Sequence, residues 1–462
     1  MTHQTERLAQ EAEQPPHHPD TIPLLHNFLE FQANPLQFWL DVGREGPVVR
    51  VQLGPFRPFW VVTDADFLEY ILHKKSRNFP RDHQLRQRNG LDNMQTVFNA
   101  PTWEEWLWRR RLLQPAFHAK ELAKFGETMV GEAVALIDSV ETSEPLELVS
   151  FMKAMTMRII CKAMFSASLG DTAVLQHAFE QVTEFSYKRL SSVFNLPLWV
   201  PTPDVVKTRR AVNARLEIIE RIVQDRLSSG KAKGDLLDML ISAHLDEAHI
   251  SADGRRFTGY DLVSEMISIV FAGHETTAMT LMWLFYKVAQ DAEIERKLWA
   301  EVDGVLNGRL PTLADLDNMP YTHWLIQETL RYYPSVYVTL REAEEDDAFD
   351  GYHIPAGTQF VVNIRALHRD PRYWDEPERF WPERFGSDEL VPSHKFAYMP
   401  FLAGPKKCIG DNFAMMEMRL VVPTIMQRLR FHYEADEPVQ EKAGFVMETK
   451  QPVMMRVEKR AG

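Results

Sequence analysis

Between Leu262 and Ala289 the chain is apolar almost throughout, and this long run restricts the possible folds more than any other segment. A helix that crosses a bilayer needs about 20 nearly uninterrupted apolar residues. Polar side chains interrupt this run at Glu265, His274, Glu275 and Lys287. We therefore predict a long helix that is buried inside a large soluble protein, and not a membrane span.

The composition is that of a soluble globular protein. Of the 462 residues, 45% are hydrophobic and 25% are charged, which excludes disorder and fibrous repeats for the bulk of the chain. The net charge of −13 makes nucleic acid an unfavourable partner. Only two cysteines occur, so we expect no disulfide framework and predict a cytoplasmic location. Residues 1–20 contain no apolar core, which predicts neither a signal peptide nor a membrane anchor.

The pattern of the chain predicts one domain, from residue 21 to 462, after a loose N-terminal tail over residues 1–20. Extended and helical patterns alternate along it. The β-rich parts are predicted at about 45–70 and 335–400, and the helical body at about 103–334 and 409–430. Gly54 and Pro55 separate two strand-like runs within Val48 to Thr63, which predicts a hairpin there. The fold class is therefore mainly α with small β subdomains. Six acids lie between Glu342 and Asp350, and we interpret this stretch as a solvated turn between strands.

Cys408 lies in a glycine-containing loop, FLAGPKKCIG, directly before a periodic helical segment. The positive end of the helix dipole and the adjacent Lys406 and Lys407 favour the thiolate, which is the metal-ligating and nucleophilic form of cysteine. The alternative is a buried free cysteine, which is the usual state of an unpaired cysteine. Cys161 fits that alternative because it lies in an apolar helical run, whereas the neighbours of Cys408 are flexible and basic.

The centre of the apolar run reads AGHETT, from Ala272 to Thr277. Glycine in a helix interior costs roughly 1 kcal/mol relative to alanine. A threonine hydroxyl can bond the carbonyl four residues earlier and bend the helix, so Thr276 would reach Ala272. The pattern indicates a helix that faces something polar at its centre, and a helix crossing that requires small residues is the alternative. Residue 278 is alanine, so the two-histidine zinc motif of metalloproteases is absent.

Two further patterns are weak on their own. Glu328 and Arg331 lie one helical turn apart, as many solvated ion pairs do. Trp106 and Arg110 are four residues apart and share one face of a helix. Core packing of the tryptophan and a basic exposed face are the simpler interpretations of the second pattern.

In this order, the segments resemble the signatures of the cytochrome P450 family. They are AGHETT at 272–277, ETLR at 328–331, PERF at 382–385 and FLAGPKKCIG at 401–410, with the spacing of Trp106 and Arg110 in addition. The cysteine loop departs from the family pattern at Lys406, where arginine or histidine is usual. A second PERF begins at Pro377, but the family spacing favours the later one. The resemblance implies the cytochrome P450 fold, with haem between the long central helix and the helix after Cys408.

The resemblance also implies how the chain would hold haem b, iron protoporphyrin IX. Cys408 would be the axial thiolate ligand, which favours O–O cleavage, and Phe401 would pack beside its sulfur. Buried propionates require charge-assisted donors, and Lys406 would act there as a point charge without the fork of arginine. The cofactor-binding residues so implied are Cys408, Trp106, Arg110, Arg341, Lys406, Phe401, Gly273, Ala272 and Gly410. A structural ion-pair triad on the cysteine side would be formed by Glu328, Arg331 and Arg384.

On the opposite side of the haem, the resemblance assigns catalytic roles to two residues. Thr276 would hydrogen-bond dioxygen, and Glu275 would help to relay protons, while Gly273 and Ala272 would leave room for oxygen and substrate. The reaction implied is monooxygenation, the insertion of one oxygen atom into a C–H or C=C bond. A peroxide-driven haem-thiolate enzyme and a binding or sensing module without turnover are the alternatives.

Electrons are expected from a separate protein, because the chain ends at Gly462 without a fused reductase. The resemblance implies a ferredoxin or flavodoxin with an NAD(P)H-dependent reductase. Arg109 and Arg111 lie off the face of Trp106 and, with Lys407, could form a basic patch for such an acidic partner. A merely solvated basic face is the alternative. We expect a monomer.

The predicted substrate pocket is apolar. Its lining is expected from the segment before the Trp106 helix, from the central helix, and from the segment after Arg331, namely Met94, Val97, Phe98, Ile269, Ala272, Val336 and Val338. Such a lining accepts fatty acids, terpenoids, steroids and aromatic compounds alike, so the sequence does not identify the substrate.

Overall fold

The computed structural model describes residues 14–20, 25, 27–54, 58–81, 94–166, 172–192, 195–245 and 254–460. Helices dominate this part of the chain. The α-helices are α1 Phe28–Ala33, α2 Pro35–Glu45, α3 Ala65–Glu69, α4 Trp103–Leu113, α5 Ala119–Leu122, α6 Gly126–Asp138, α7 Leu148–Phe165, α8 Thr172–Leu190, α9 Pro203–Ser229, α10 Leu236–Leu245, α11 Gly259–Gln290, α12 Ala292–Leu306, α13 Pro320–Tyr332, α14 Ile364–Leu367 and α15 Asp411–Arg428. The strands are β1 Val48–Val51, β2 Phe59–Val62, β3 Leu146–Glu147, β4 Thr339–Glu342, β5 Asp347–Phe349, β6 Tyr352–Ile354, β7 Gln359–Val362, β8 Leu429–His432, β9 Glu441–Ala443, β10 Met447–Thr449 and β11 Met454–Lys459.

The long apolar run forms α11, the 32-residue central helix, as predicted. The helix begins with a capping box, in which the side chains of Thr258 and Asp261 each accept a hydrogen bond from the other residue's backbone N–H. Helix α7 packs along α11, and α9, α13 and α15 also contact it. Because neighbours cover it on several sides, most of its side chains are buried. Among the described helices, none combines the length and the hydropathy that a bilayer crossing requires.

The β-rich parts combine into small sheets at the edge of the helical body. The largest has the strand order β1–β2–β7–β4, in which β2 and β7 run parallel and the other pairs are antiparallel. The hairpin predicted near residue 54 is confirmed by the pairing of β1 with β2. The β-rich part predicted at about 335–400 is therefore not a separate unit, because its strands β4 and β7 lie in one sheet with β1 and β2.

Backbone hydrogen bonds correct two expectations, one about the acidic stretch and one about the N-terminal tail. The acidic stretch is not only a turn, because β5 begins at Asp347 and pairs with β6. The prediction of a loose tail is wrong for residues 16–18. Arg50 N donates a hydrogen bond of 2.8 Å to Pro16 O, and His18 N donates one of 2.8 Å to Arg50 O. Residues 1–13 lie outside the described part. In both places backbone hydrogen bonding to a strand outweighs a polar composition.

The loop that carries Cys408 leads into α15, which confirms the predicted helix after it. Helix α15 contacts α6, α12 and α13, and its apolar side chains join the main hydrophobic core. A smaller core lies between the four-stranded sheet, α3 and α14. The mainly α fold class is confirmed, and its central helix and the cysteine loop bring the predicted residues into the interior.

Candidate active site

The centre of α11 is accessible at Ala272. Ala272 is exposed, although the side chains of His274 and Glu275 within the next turn are buried. Thr276 Oγ1 donates a hydrogen bond of 2.8 Å to Ala272 O, as the sequence predicted. A Cβ added to Gly273 would lie 3.3 Å from Ile160 Cδ1 of α7. The helix-packing alternative therefore explains Gly273, and Ala272 is the residue that leaves open space.

Glu275 is held from the other side by a lysine that sequence reasoning missed. Lys153 Nζ of α7 lies 3.4 Å from Glu275 Oε1 and 3.5 Å from Glu180 Oε1. Burial raises the pKa of Glu275, and the positive charge of Lys153 opposes that rise. The adjacent His274 is fully buried, and burial lowers its pKa to about 3, so its ring stays neutral. Glu275 is therefore the titratable acid nearest to the accessible turn of α11.

The cysteine loop has a fixed backbone. Cys408 N donates a hydrogen bond of 2.9 Å to Phe401 O. Gly404 has a φ of +72°, and a Cβ on it would lie 2.0 Å from Leu72 O, so only glycine fits there. Gly410 precedes α15 as its N-cap, and its N–H lies at the sulfur of Cys408. The loop therefore presents Cys408 from a rigid turn.

Cys408 is accessible within a crowded part of the fold. Its side chain is accessible, yet enough protein surrounds it that burial raises the pKa of its thiol. The expectation that neighbouring lysines favour the thiolate is wrong, because Lys407 pairs with Asp411 at 2.6 Å and Lys406 lies over tryptophan rings. Cys161 is buried in the core, as predicted, and burial raises its pKa to about 12.

Positive side chains collect beside this loop. Arg341 is 2% exposed, and its Nη1 donates to Leu340 O at 2.8 Å and to Thr339 Oγ1 at 3.1 Å. Burial and the neighbouring charge of Arg81 lower the pKa of Arg341 to about 9. Arg110 Nη1 donates to Lys407 O at 2.9 Å. No pattern in the sequence indicated Arg81.

Tryptophan rings hold Lys406. Its Nζ lies 5.5 Å from the ring centres of both Trp103 and Trp106, and the two indoles are 4.8 Å apart. Such cation–π contacts fix a lysine that lacks the fork of arginine. Trp103 was not predicted, although its position three residues before Trp106 places both on one face of α4.

These side chains fit a ligand that carries two carboxylates. Among the described residues, no carboxylate lies within hydrogen-bond distance of Arg341, and a buried guanidinium without an anion costs several kcal/mol. The haem propionates implied by the sequence would supply that anion. Arg341, Arg110, Lys406 and Trp106 could hold them, with Arg81 in addition. The accessible thiol of Cys408 could hold the iron.

The ion pairs of the ETLR and PERF segments are formed. Glu328 accepts from Arg331 Nε at 2.7 Å and lies 3.2 Å from Arg384 Nε, and all three side chains are fully buried. Arg379, the arginine of the earlier PERF, is exposed and pairs with Glu376 at 3.1 Å. The later tetrad therefore supplies the buried arginine.

The structure groups only part of the predicted substrate pocket. Val97 and Phe98 line one cavity together with Arg81, Ala100, Trp106 and Lys406. Ile269 is buried in the main core, and Met94 and Val338 pack against that core. Val336 packs instead against the smaller core at the sheet. The structure therefore brings Val97 and Phe98 to the predicted cofactor residues, whereas the other five predicted residues, Ala272 among them, do not line that cavity.

Aromatic side chains that the sequence did not indicate extend from Phe98. Its ring lies 6.4 Å from that of Phe445, which lies 5.4 Å from that of Phe271 on α11. Phe271 is next to the accessible Ala272. These contacts join three segments far apart in sequence, so no local pattern could have predicted them.

The basic patch predicted at Arg109 is wrong. Its side chain is fully buried and bonds Glu105, Asp261 and Glu265 at 3.0, 2.7 and 2.9 Å. The Arg109 side chain points to Asp261 and Glu265 at the start of α11, so it is not solvated. Arg111 is exposed, as expected.

Comparisons with known proteins agree with this geometry. The family model for Cytochrome P450 matches residues 16–455. Cyclooctat-9-en-7-ol 5-monooxygenase from Streptomyces melanosporofaciens is 32% identical over 419 residues, covering 89% of this chain and 88% of that protein. Cyclooctatin synthase from the same organism is 29% identical over 421 residues, 89% of each chain. The protein LUTEIN DEFICIENT 5, chloroplastic, from Arabidopsis thaliana is 28% identical over 437 residues, 90% of this chain and 72% of that protein.

Proposed function

The chain belongs to the cytochrome P450 family, and on this premise we propose that it inserts one oxygen atom of dioxygen into a cyclic terpenoid. As a member of that family it is an oxidoreductase whose cofactor is haem b. When bound, the haem supplies the reductive activation of dioxygen. The observation that carries the proposal is the accessible thiol of Cys408, which is enclosed by protein and presented by a rigid loop.

The role of Cys408 is to ligate the haem iron as a thiolate. The pKa of its thiol is raised by burial, so the ligand must lose its proton when the metal binds. The N–H of Gly410 and the positive charge of Arg110 favour the negative sulfur. Arg341, Lys406 and Trp106 hold the propionates, which fixes the cofactor against rotation.

Thr276 and Glu275 handle protons on the opposite side. The Thr276 hydroxyl now donates to Ala272 O, and it would turn toward dioxygen at the accessible point of α11. Glu275 Oε1 is tied to Lys153, and no hydrogen bond from the described residues reaches its Oε2. Glu275 would pass protons inward from the Lys153–Glu180 ion pairs. Its burial keeps bulk water away from the reaction.

The substrate class is supported by the relatives and by the aromatic lining. The name of one relative states cyclooctat-9-en-7-ol, and the name of another states cyclooctatin. Phe98, Phe271 and Phe445 present apolar rings near the accessible Ala272. Such a lining suits a bulky ring system without charge. We propose hydroxylation or epoxidation of a compound of this kind.

A separate ferredoxin or flavodoxin, with an NAD(P)H-dependent reductase, would supply the electrons. Arg111 and Lys407 are the exposed cations that remain of the predicted basic patch. Reversing the charge of Arg111 should slow reduction by an acidic partner at low salt. An unchanged rate at all salt concentrations would remove this part of the proposal.

The substrate class is tested by titrating the purified holoprotein with cyclic terpenoid alcohols, a long-chain fatty acid and a steroid, following the haem absorption shift. We expect a saturable shift with the cyclic terpenoids, and oxygenated product after a ferredoxin, a reductase and NADPH are added. A shift with the fatty acid alone would contradict the substrate class. Product from peroxide without electron donors would favour the peroxide-driven alternative, and binding without turnover would favour a sensing module.

A further inference from the structure

A buried ion cluster joins α4 to the start of α11. Arg109 is at its centre and is fully buried. Arg255 lies at the rim, where its Nη2 donates to Glu105 Oε1 at 3.0 Å and to Asp261 Oδ1 at 3.2 Å. The members are Glu105, Arg109, Arg255, Asp261 and Glu265. Three acids thus face two guanidinium groups, and none of the five residues is part of the proposed cofactor or proton machinery.

One acid of this cluster also holds the segment that lines the cavity. Val97 N donates to Glu265 Oε1 at 2.9 Å and to Glu265 Oε2 at 3.2 Å. Arg109 Nη1 bonds the same Oε1 at 2.9 Å. Glu265 therefore links α4, α11 and the turn over residues 94–99 through one carboxylate. Among the described hydrogen bonds, no other acid of the cluster contacts this turn.

Hydrogen bonds within the turn 94–99 hold it together as one unit. Asn99 Oδ1 accepts from Thr96 N at 2.7 Å, and Asn99 Nδ2 donates to Met94 O at 2.8 Å. Gln95 and Phe98 give it two more attachments, because Arg255 Nη1 donates to Gln95 Oε1 at 3.4 Å and Arg81 donates to Phe98 O. The hydrogen bond at Val97 is thus a central attachment of a compact turn, and Phe98 lines the cavity beside it.

The strength of the hydrogen bonds from Val97 N to Glu265 depends on the charges around Glu265. Asp261 is stabilised by its hydrogen bonds to Thr258 as well as by Arg109, and these lower its pKa. Glu265 is fully buried, and burial raises its pKa to about 7 although Arg109 opposes the rise. The Glu265 bonds are therefore strong only while Arg109 keeps the carboxylate ionised, because charge-assisted hydrogen bonds are about twice as strong as neutral ones.

We propose that Glu265, held by Arg109, positions the turn 94–99 and thereby Phe98, and so determines how firmly the pocket retains a bulky substrate. The inference rests on the proposed function, because that function makes the aromatic lining of Phe98, Phe445 and Phe271 part of the substrate pocket. Glu265 and Arg109 are positioning residues: they contact the turn and its support, not the substrate. Loss of the Glu265 charge should loosen Val97 and Phe98, whereas the hydrogen bonds of the Cys408 loop do not involve Glu265.

The experiment compares holoprotein variants by two measurements. The first is hydrogen exchange of the Val97 amide without ligand, and the second is binding of 4-phenylimidazole and of imidazole followed by the haem absorption shift. In E265Q we expect exchange at Val97 and the 4-phenylimidazole Kd each to rise about tenfold, because a charged acceptor becomes a neutral one. Imidazole is too small to reach the turn, and its Kd should change less than about twofold. E105Q is the matched control, since Glu105 belongs to the cluster without bonding the turn.

The outcomes separate this inference from the proposed function. Unchanged Val97 exchange in E265Q, or equal effects of E105Q and E265Q, would overturn it. If E265Q does not fold, R109K serves instead, because lysine keeps the charge but lacks the planar fork whose separate nitrogens reach Glu105, Asp261 and Glu265, and faster Val97 exchange is again expected. If the wild type gives no absorption shift with either imidazole, the haem site itself is wrong, while the exchange measurement still reports on the turn.

Discussion

Lys153 sets the charge state of the acid nearest the accessible turn of α11. Its positive charge lowers the pKa of Glu275, while burial raises it. In K153M the positive charge that lowers the pKa of Glu275 is absent, so Glu275 should keep its proton to higher pH. We predict that the limb of the pH–rate profile governed by Glu275 moves to higher pH, measured as product formation with a saturating electron donor.

K188M is the control for K153M. It removes the same positive charge from the protein, but Lys188 pairs with the exposed Glu184 on α8. Its pH–rate profile should match that of the wild type. A K153M profile that coincides with the wild type would show that Glu275 does not carry the protons.

Arg341 is buried without a carboxylate partner among the described residues, and under the proposed function a haem propionate would pair with it. A buried cation without an acidic partner is costly, so R341M should leave the haem-free protein equally stable or more stable. The holoprotein should lose haem about tenfold faster, because a charge-assisted hydrogen bond to a propionate is missing. Transfer of haem to an excess of apomyoglobin measures this rate.

R379M removes an exposed arginine in the same part of the chain and is the control for R341M. Haem loss from R379M should equal that from the wild type. Equal rates for R341M and wild type would contradict the propionate role.

At single residues, the sequence was informative where the chemistry is local. Thr276 and Ala272 are one turn apart, so their hydrogen bond could be predicted from spacing alone. The partner of Glu275 could not, because Lys153 is 122 residues away in sequence. The error at Arg109 has the same origin: helical spacing places Arg109 on α4 but does not show that its side chain reaches Asp261 and Glu265 on α11.

The cysteine loop depends on one glycine. G404A adds a Cβ 2.0 Å from Leu72 O at a residue with positive φ, so the loop must shift. We predict a loss of at least about 1–3 kcal/mol in the free energy of unfolding and a lower holoprotein fraction, because Cys408 moves with the loop. Thermal unfolding and haem content after purification check both effects.

G308A is the matched control, since Gly308 also has positive φ (+83°) but a Cβ there meets nothing within 4 Å. It should cost about 1 kcal/mol for the backbone conformation alone and leave haem content unchanged. If G404A behaved like G308A, the close contact with Leu72 would not constrain the loop.

Among the elements, helices with strong periodicity and the first hairpin could be predicted, and short strands could not. Helix α11 follows from its apolar run, and β1 and β2 follow from β-branched residues around a glycine. Strand β5 was missed because charges dominate its sequence, while its hydrogen bonds with β6 decide its structure. The pairing of β2 with β7 joins residues some three hundred positions apart, which no local pattern reports.

The stability of the whole molecule should depend on a buried acid in α15. Glu417 is fully buried, no hydrogen bond from the described residues reaches its carboxylate, and burial raises its pKa well above the usual value. In the unfolded chain Glu417 ionises at ordinary acid pH, whereas in the folded chain it stays protonated. The unfolded state therefore binds fewer protons, and this residue makes stability fall as pH rises from about 4.5 toward the raised pKa.

E417Q removes this dependence, so the free energy of unfolding should fall less between pH 5 and pH 8 than in the wild type. At pH 8 the variant should be more stable, because the wild type must bind a proton to fold, which costs about 1.4 kcal/mol for each pH unit between the unfolded and the raised folded pKa. Denaturant unfolding at both pH values measures it. E434Q, at an exposed acid, should follow the wild type, and an E417Q curve parallel to the wild type would mean that Glu417 has a partner in solution.

The assignment of Cys408 as the haem ligand is tested most directly by the carbon monoxide spectrum of the reduced holoprotein, recorded for the wild type and for C408S. Serine keeps the size and the backbone of the loop but removes the sulfur. The wild type should give the thiolate-type absorption band, and C408S should lose it while its far-ultraviolet circular dichroism is unchanged. A wild-type protein that stays colourless after hemin is added, or a C408S variant that keeps the thiolate band, would contradict the assignment.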